Sequence, residues 1–182
     1  MTRFPFSIAL CAALLLIMAG CRPAREDAAK APVEAPIIVV ESVPDLVLPL
    51  LQPEGGEMHL SSLQGTVVLL DFWVPWSERS VEGMEELSGL HQEFQGHGFS
   101  VLGMKVPRGA EGETEGDVVD VSYPLVVASD ADLEACGGVR AIPTRILLNA
   151  EGEIVKRYEG AVPLKEVRMD VERVLGRMPD AT

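Results

Sequence analysis

Two serines three residues apart, Ser77 and Ser80, stand where a strand pattern gives way to a helical one, in the stretch Trp76-Ser77-Glu78-Arg79-Ser80. A serine is a nucleophile only when a base is held against its hydroxyl. The three histidines, His59, His91 and His97, fall in a hairpin, on a helix and past its end. Spacing brings none of them to Ser77, so serine hydrolysis is not expected and the histidines read as surface residues. What a serine at a helix start does well is accept a hydrogen bond from an N–H two or three residues on, worth about 1 kcal/mol. Glu78 in the first turn adds a charge that suits the helix dipole.

Cys136 is the other candidate for chemistry. It could act as a lone redox or peroxidatic thiol, but a cysteine inside a short apolar helix usually behaves as a small buried hydrophobe. No Cys/His cluster supports zinc or haem, and no metal or cofactor is expected. Glu111, Glu113, Glu115, Asp117 and Asp120 are spaced by glycines but lack the pattern of a calcium loop, so residues 107–122 read as a solvated loop.

The elements that must position these groups follow from periodicity. Residues 67–73 form a short apolar run rich in β-branched residues, closed by Pro75 two positions on, which is the pattern of a buried central strand. Val81, Met84, Leu87, Leu90 and Phe94 then recur at helical spacing, and Gly96 and Gly98 end the helix. Residues 99–106 read as a second strand, so the unit is a βαβ crossover with a parallel pair. Ahead of it, residues 46–50 and 57–60 flank Pro53-Glu54-Gly55-Gly56 as a β-hairpin. After it come a short strand at 124–128 and a short helix at 130–136 with Asp130 as its cap. A strand through Ile146-Leu147-Leu148, a turn at 149–152, an antiparallel edge strand at 153–158 and a helix opening at Pro163 close the chain.

The chain has 182 residues, 47% of them hydrophobic, which allows one domain with a sizeable core plus accessory segments. Its formal charge of −13, with no basic cluster, argues against nucleic acid as a partner. Residues 1–20 carry one basic residue, Arg3, and an apolar run at 8–18 that is too short to cross a bilayer, for which about 20 residues are needed. The run suits the apolar core of a secretory signal. Residues 21–43 are rich in Ala, Pro and Glu, with no apolar run until Ile37-Ile38-Val39-Val40, and read as a semi-extended tether to a domain at 44–178.

Met18-Ala19-Gly20-Cys21 resembles the lipobox of bacterial lipoproteins, which implies that Cys21 is lipidated and holds the protein to a membrane outside the cytoplasm, on the periplasmic side in a Gram-negative cell. Further along, the strand ending in Phe72-Trp73 and the following Trp76 resemble the active-site region of thioredoxin-like proteins, above all the membrane-tethered TlpA-type and redoxin kind. In that family the second tryptophan precedes Cys-x-x-Cys, and here Ser77 and Ser80 take the cysteine positions. Gly138-Val139-Arg140-Ala141-Ile142-Pro143-Thr144 resembles the family's loop in which a cis-proline faces the dithiol, which implies a cis Ile142–Pro143 bond. The hairpin order resembles the family's amino-terminal extension, so the likeness runs from Pro44 to about Leu175. It implies an α/β thioredoxin-like fold, a central mixed sheet flanked by helices with an amino-terminal β-hairpin.

In the family the first cysteine gains thiolate character at the helix amino terminus, and the second closes the disulfide. Hydroxyls do neither, so dithiol exchange is not expected through Ser77 and Ser80. Gly83 and Glu85 also depart from the family pattern, in which an acid and a proline follow the dithiol. Asp71 stands where cytoplasmic thioredoxins keep a buried proton-handling aspartate; with no thiol to serve, a strand aspartate hydrogen-bonded in place is the favoured reading. The resemblance implies a degenerate homologue of the thiol-disulfide oxidoreductases that binds a polypeptide or partner protein in a groove of Trp73, Trp76, Ser77, Ile142 and Pro143. The alternative is a thiol-disulfide or peroxide oxidoreductase working through Cys136.

Overall fold

A computed structural model describes residues 41–51, 55–107 and 119–177. The signal segment, Cys21, most of the tether, the first half of the hairpin turn and the acids at 111–117 lie outside these residues.

The chain order is β1 (Val47–Pro49), β2 (Glu57–His59), a 3₁₀ turn (Leu60–Leu63), β3 (Val67–Trp73), α1 (Glu78–Phe94), β4 (Phe99–Lys105), β5 (Leu125–Val127), α2 (Asp130–Ala135), β6 (Thr144–Leu148), β7 (Ile154–Glu159) and α3 (Leu164–Val174). Five strands form one sheet in the order β5-β4-β3-β6-β7. β3 pairs in parallel with β4, and β4 with β5, while β6 and β7 add in antiparallel fashion. The parallel half needs the α1 crossover; the antiparallel half needs only the turn at 149–152. β1 and β2 form the separate hairpin, and Leu51 N–H donates to Leu125 O at 2.8 Å, laying the hairpin's end along β5.

Every residue of β3 and of β4 is buried, as a central strand covered on both faces requires. Alternation divides their side chains. Val67, Leu69 and Trp73 of β3 pack with Met84, Leu87, Leu90 and Phe94 of α1 and with Val167 and Val171 of α3. Val68, Leu70 and Phe72 face the other way, with Leu46, Leu48, Ile146, Leu148 and Cys136. The helical stripe of α1 is apolar because it covers the first face; its interior Gly83 breaks that stripe.

Three expectations are corrected. The cap of α2 is Ser129, not Asp130: the Ser129 hydroxyl accepts from Asp132 N–H, and the Asp132 carboxylate accepts from Ser129 N–H at 2.7 Å, a full capping box. His91 is no surface residue; it is buried, and its Nδ1 accepts from Val101 N–H at 3.3 Å because it falls on the α1 stripe one turn before Phe94. Pairing with the sheet also begins before Pro44. Val43 N–H donates to Gly152 O at 3.1 Å and Ile154 N–H to Glu41 O at 2.8 Å, so the end of the tether already pairs with the start of β7.

Candidate functional site

The register of β3 against β6 sets Phe72 opposite Thr144, which places the carboxyl end of β3, the start of α1 and the Pro143 loop at one end of the sheet. Beyond β3 the chain turns through Val74 and Pro75, with Ser77 N–H donating to Val74 O at 3.3 Å. Ser77 is the N-cap of α1: its backbone is extended, and its Oγ accepts from Ser80 N–H at 3.3 Å. Its hydroxyl thus satisfies one of the open N–H groups of the first turn. The Ser80 side chain points inward and is buried, with no hydrogen-bond partner for its hydroxyl. Trp76 is 53% exposed, the most exposed large apolar side chain of the described residues.

Across the gap, the Ile142–Pro143 peptide is cis. Pro143 is buried and Ile142 half-buried. Pro143 O accepts from Gly160 N–H at 2.8 Å, and Thr144 Oγ1 donates to Ala141 O at 2.7 Å, which ties the loop at both ends. Trp73, assigned to the groove from sequence, is 0% exposed and belongs to the core under α1. Its position on the α1 side of β3 sends the indole beneath the helix. A Cβ added at Gly103 would lie 3.1 Å from Tyr123 Cε2 and 3.5 Å from Trp73 Nε1, so a glycine there admits both rings.

Beneath α1 a polar row crosses the sheet. Gly103, Asp71, Arg145 and Tyr158 are successive cross-strand partners on β4, β3, β6 and β7. Arg145 Nε donates to Asp71 Oδ1 at 3.0 Å, and the side chains are 4% and 1% exposed. Asp71 Oδ2 has no partner. Burial pushes the Asp71 carboxyl above the usual range, and the Arg145 charge and hydrogen bond oppose that push. A Cβ added at Gly83 would collide with Arg145 Nη2, so the glycine of α1 is the notch that holds the guanidinium. At the end of the row Tyr158 donates to Asp170 Oδ2 at 2.8 Å, which also takes Lys156 Nζ at 2.6 Å, docking α3 on β7.

Cys136 lies on the opposite face of the sheet from α1. It is 0% exposed, the single free cysteine among the described residues. Burial, with Asp132 adding to it and Arg157 opposing, pushes its thiol up to about 12. A thiol so buried and so protonated is a poor nucleophile. The Arg157 guanidinium donates to the carbonyls of Cys136 and Gly138, which seals the end of α2. Among the described residues no group of three or more His, Cys, Asp or Glu side chains could hold a metal ion, and no helix is long and apolar enough to cross a membrane.

The structure therefore brings Trp76, Ser77, Ile142 and Pro143 to one end of the sheet and leaves Trp73, Asp71 and Ser80 buried behind them. The contact of Arg145 with Gly83, behind this surface, is not among the residues expected from sequence. The sequence carries a signal for it: one acidic residue in β3, one basic residue in β6, both strands otherwise uncharged, and a glycine on the buried stripe of a helix.

The profile of the AhpC/TSA family matches residues 39–163. Thiol-disulfide oxidoreductase ResA of Halalkalibacterium halodurans is 32% identical over 124 residues, covering 66% of this chain and 69% of that protein. ResA of Bacillus subtilis is 27% identical over 114 residues, covering 59% of this chain and 61% of that protein. Among solved structures, a thiol:disulfide interchange protein of the thioredoxin family from Chlorobium tepidum superposes with a TM-score of 0.65 at 19% identity, covering 75% of this chain and 97% of that one. The exposed lipoprotein thioredoxin Etrx1 of Streptococcus pneumoniae gives a TM-score of 0.61 at 23% identity, covering 71% and 99%. At these identities the two structures speak to fold alone.

Proposed function

The chain belongs to the AhpC/TSA family and has a thioredoxin-like fold with an amino-terminal strand pair, and from that premise we propose that it is a lipid-anchored, extracytoplasmic member that binds an extended polypeptide or partner protein instead of exchanging disulfides. In this reading Ser77 and Ser80 occupy the positions of the family's Cys-x-x-Cys. Cys21 carries the lipid, and residues after it space the domain from the membrane. The docking surface is Trp76, Ser77, Ile142 and Pro143, where a partner's backbone lies along the loop in the manner of an added strand.

One observation carries the reading: the start of α1 offers hydroxyls, with Ser77 engaged as a cap, while Cys136 is sealed on the far face of the sheet. A hydroxyl has neither the acidity nor the sulfur that thiol-disulfide exchange needs. The test is insulin-disulfide reduction by the Cys21→Ser chain. No turnover above background is expected, and turnover abolished by Cys136→Ser would replace this reading with catalysis by that thiol. Docking is followed by Trp76 fluorescence on titration with a carboxymethylated, permanently unfolded polypeptide. A saturable change that Trp76→Ala removes and Cys136→Ser leaves intact is the expected result.

A further inference from the structure

We propose that the cleft between the start of α1 and the segment leading into α3 binds a small aliphatic zwitterion, a carboxylate and an ammonium joined by a short apolar body. The cleft measures about 450 Å³, which suits a small molecule. None of Trp76, Ser77, Ile142 and Pro143 lines it, so the inference does not rest on the docking reading above. The sequence sets Arg79, Glu82, Gly83 and Glu86 at helical spacing on one face of α1, and that face forms one wall. Arg145 of β6 forms the floor, and the segment from Ala161 to Leu164 forms the far wall.

The floor carries the argument. An arginine side chain only 4% exposed ordinarily has its donors engaged, because a buried polar group left unpaired costs its full desolvation. Arg145 makes one hydrogen bond to the described residues, from Nε to Asp71 Oδ1 at 3.0 Å. Asp71 thus balances the charge from behind but leaves the two terminal amino groups to the cleft. Nη2 lies against Gly83, where any side chain would block the approach. A guanidinium fork of this kind receives a carboxylate edge-on. α3 opens beside it at Pro163 and Leu164 without a side-chain cap, and its first N–H groups add to the positive pole. The α1 wall has the opposite sign, since Glu82 and Glu86 are exposed there. A dianion would meet those carboxylates and a plain amine would meet the guanidinium, so a ligand with both charges fits both poles. Val162 and Leu164 pack against the α1 core and stiffen the apolar wall, which takes an aliphatic body. Free amino acids and short peptides share this chemistry.

The test is titration of the whole Cys21→Ser chain, followed by backbone amide NMR shifts. The probes are L-leucine, leucyl-leucine, 4-methylpentanoate, which lacks the ammonium, and isoamylamine, which lacks the carboxylate. The expected result is saturable shifts at residues 82–86 and at Val162 and Leu164 with a zwitterion. Both single-charge probes should bind about tenfold more weakly or worse, the size of one lost charge-assisted hydrogen bond. Tighter binding of leucine or of leucyl-leucine tells a free amino acid from a short peptide. Replacing Arg145 alone would strand Asp71, so the floor is removed by Asp71→Leu with Arg145→Met, which should abolish binding while cooperative urea unfolding reports an intact fold. Glu82→Gln with Glu86→Gln, on exposed positions, should bring leucine down to the affinity of 4-methylpentanoate, and this arm decides even if the buried replacement fails to fold. No saturable shift with either zwitterion would overturn the proposal. So would equal binding of leucine and 4-methylpentanoate by the unsubstituted chain, or a preference for leucine that survives the loss of both glutamates. Failure of polypeptide docking at Trp76 bears on the proposed function and leaves this site unaffected.

Discussion

On the face of the sheet that meets α1 and α3, Asp71, Arg145 and Tyr158 place three polar side chains in one row that includes an ion pair, whereas on the face that meets α2 the positions flanking Asp71 and Arg145 are the uncharged Leu70, Phe72, Thr144 and Ile146. Both faces are covered by buried apolar side chains. The difference is what lies above them: α1 carries the Trp76–Ser77 terminus, and α2 carries none of the candidate surface. A buried ion pair is weak grounds for stability, since desolvation can outweigh attraction. Its presence on one face only, under the helix whose start forms the site, marks that face as built for more than packing. Cys136, the single free cysteine among the described residues, sits on the other face.

The largest effect expected on this contrast comes from splitting the pair. Arg145→Ala leaves Asp71 buried with a single unmatched carboxyl and should cost about 3–5 kcal/mol in urea unfolding. Asp71→Ala strands the guanidinium and should cost a similar amount. The double replacement Asp71→Leu with Arg145→Met should recover most of the loss, making the α1 face resemble the α2 face. Additive losses in the double variant would show that the two charges do not act on each other and would remove the contrast between the faces.

Gly83→Ala sharpens the same comparison from the helix side. In an open helix, alanine is the better former by about 1 kcal/mol. Here a Cβ meets Arg145 Nη2, so the expected sign is reversed, with a loss of about 1–3 kcal/mol from overpacking. Combined with Arg145→Met the substitution should turn neutral or stabilising. A stabilising Gly83→Ala in the unsubstituted background would mean that Arg145 does not use the notch.

A third test uses pH, because His91 belongs to the polar face as well, edge-on to Tyr123 at 6.0 Å. Burial holds its pKa below the usual histidine value, and its Nδ1 must stay unprotonated to accept from Val101 N–H. The folded pKa lies below the unfolded one, so the contribution is fully present above about pH 6.5 and is lost as pH falls. One proton limits the slope to about 1.4 kcal/mol per pH unit. Unfolding free energy measured from pH 7.5 to 5 should fall in the native chain and stay flatter in His91→Leu. Equal slopes would take His91 out of the account.

How far these features are legible in the sequence depends on how local their cause is. The strand 67–73, the α1 stripe and the caps are set by neighbours a few residues apart, and they appear in the structure within a residue or two of expectation. Ser77 as cap is one such feature. Asp71 read from sequence as hydrogen-bonded in place meets Arg145, 74 positions away, and no local pattern names that partner. His91 looked exposed because a histidine on an acidic helix usually is; its place on the stripe beside Met84, Leu87 and Phe94 carried the opposite signal. Trp73 illustrates the same limit: periodicity put it on a covered strand, yet its neighbour in a motif, Trp76, drew it into the surface by association.

The smallest expected effect falls on the site itself. Ser77 caps α1 through a hydrogen bond of 3.3 Å at a half-buried position, so Ser77→Ala should cost about 0.5–1 kcal/mol, at the low end for a lost cap. Ser77→Asp should restore that stability, because a carboxylate both caps and suits the dipole at a helix start. Docking discriminates the two roles of the residue. If Ser77 only caps, polypeptide affinity in Ser77→Ala and Ser77→Asp follows stability, and both retain the Trp76 fluorescence response. If the hydroxyl lines the docking surface, Ser77→Asp keeps the fold and loses the response, since a charge now stands against the partner's backbone. The second outcome is the one the proposed function requires, and it would separate the exposed start of α1 from the buried row beneath it as two independently tunable parts of one face.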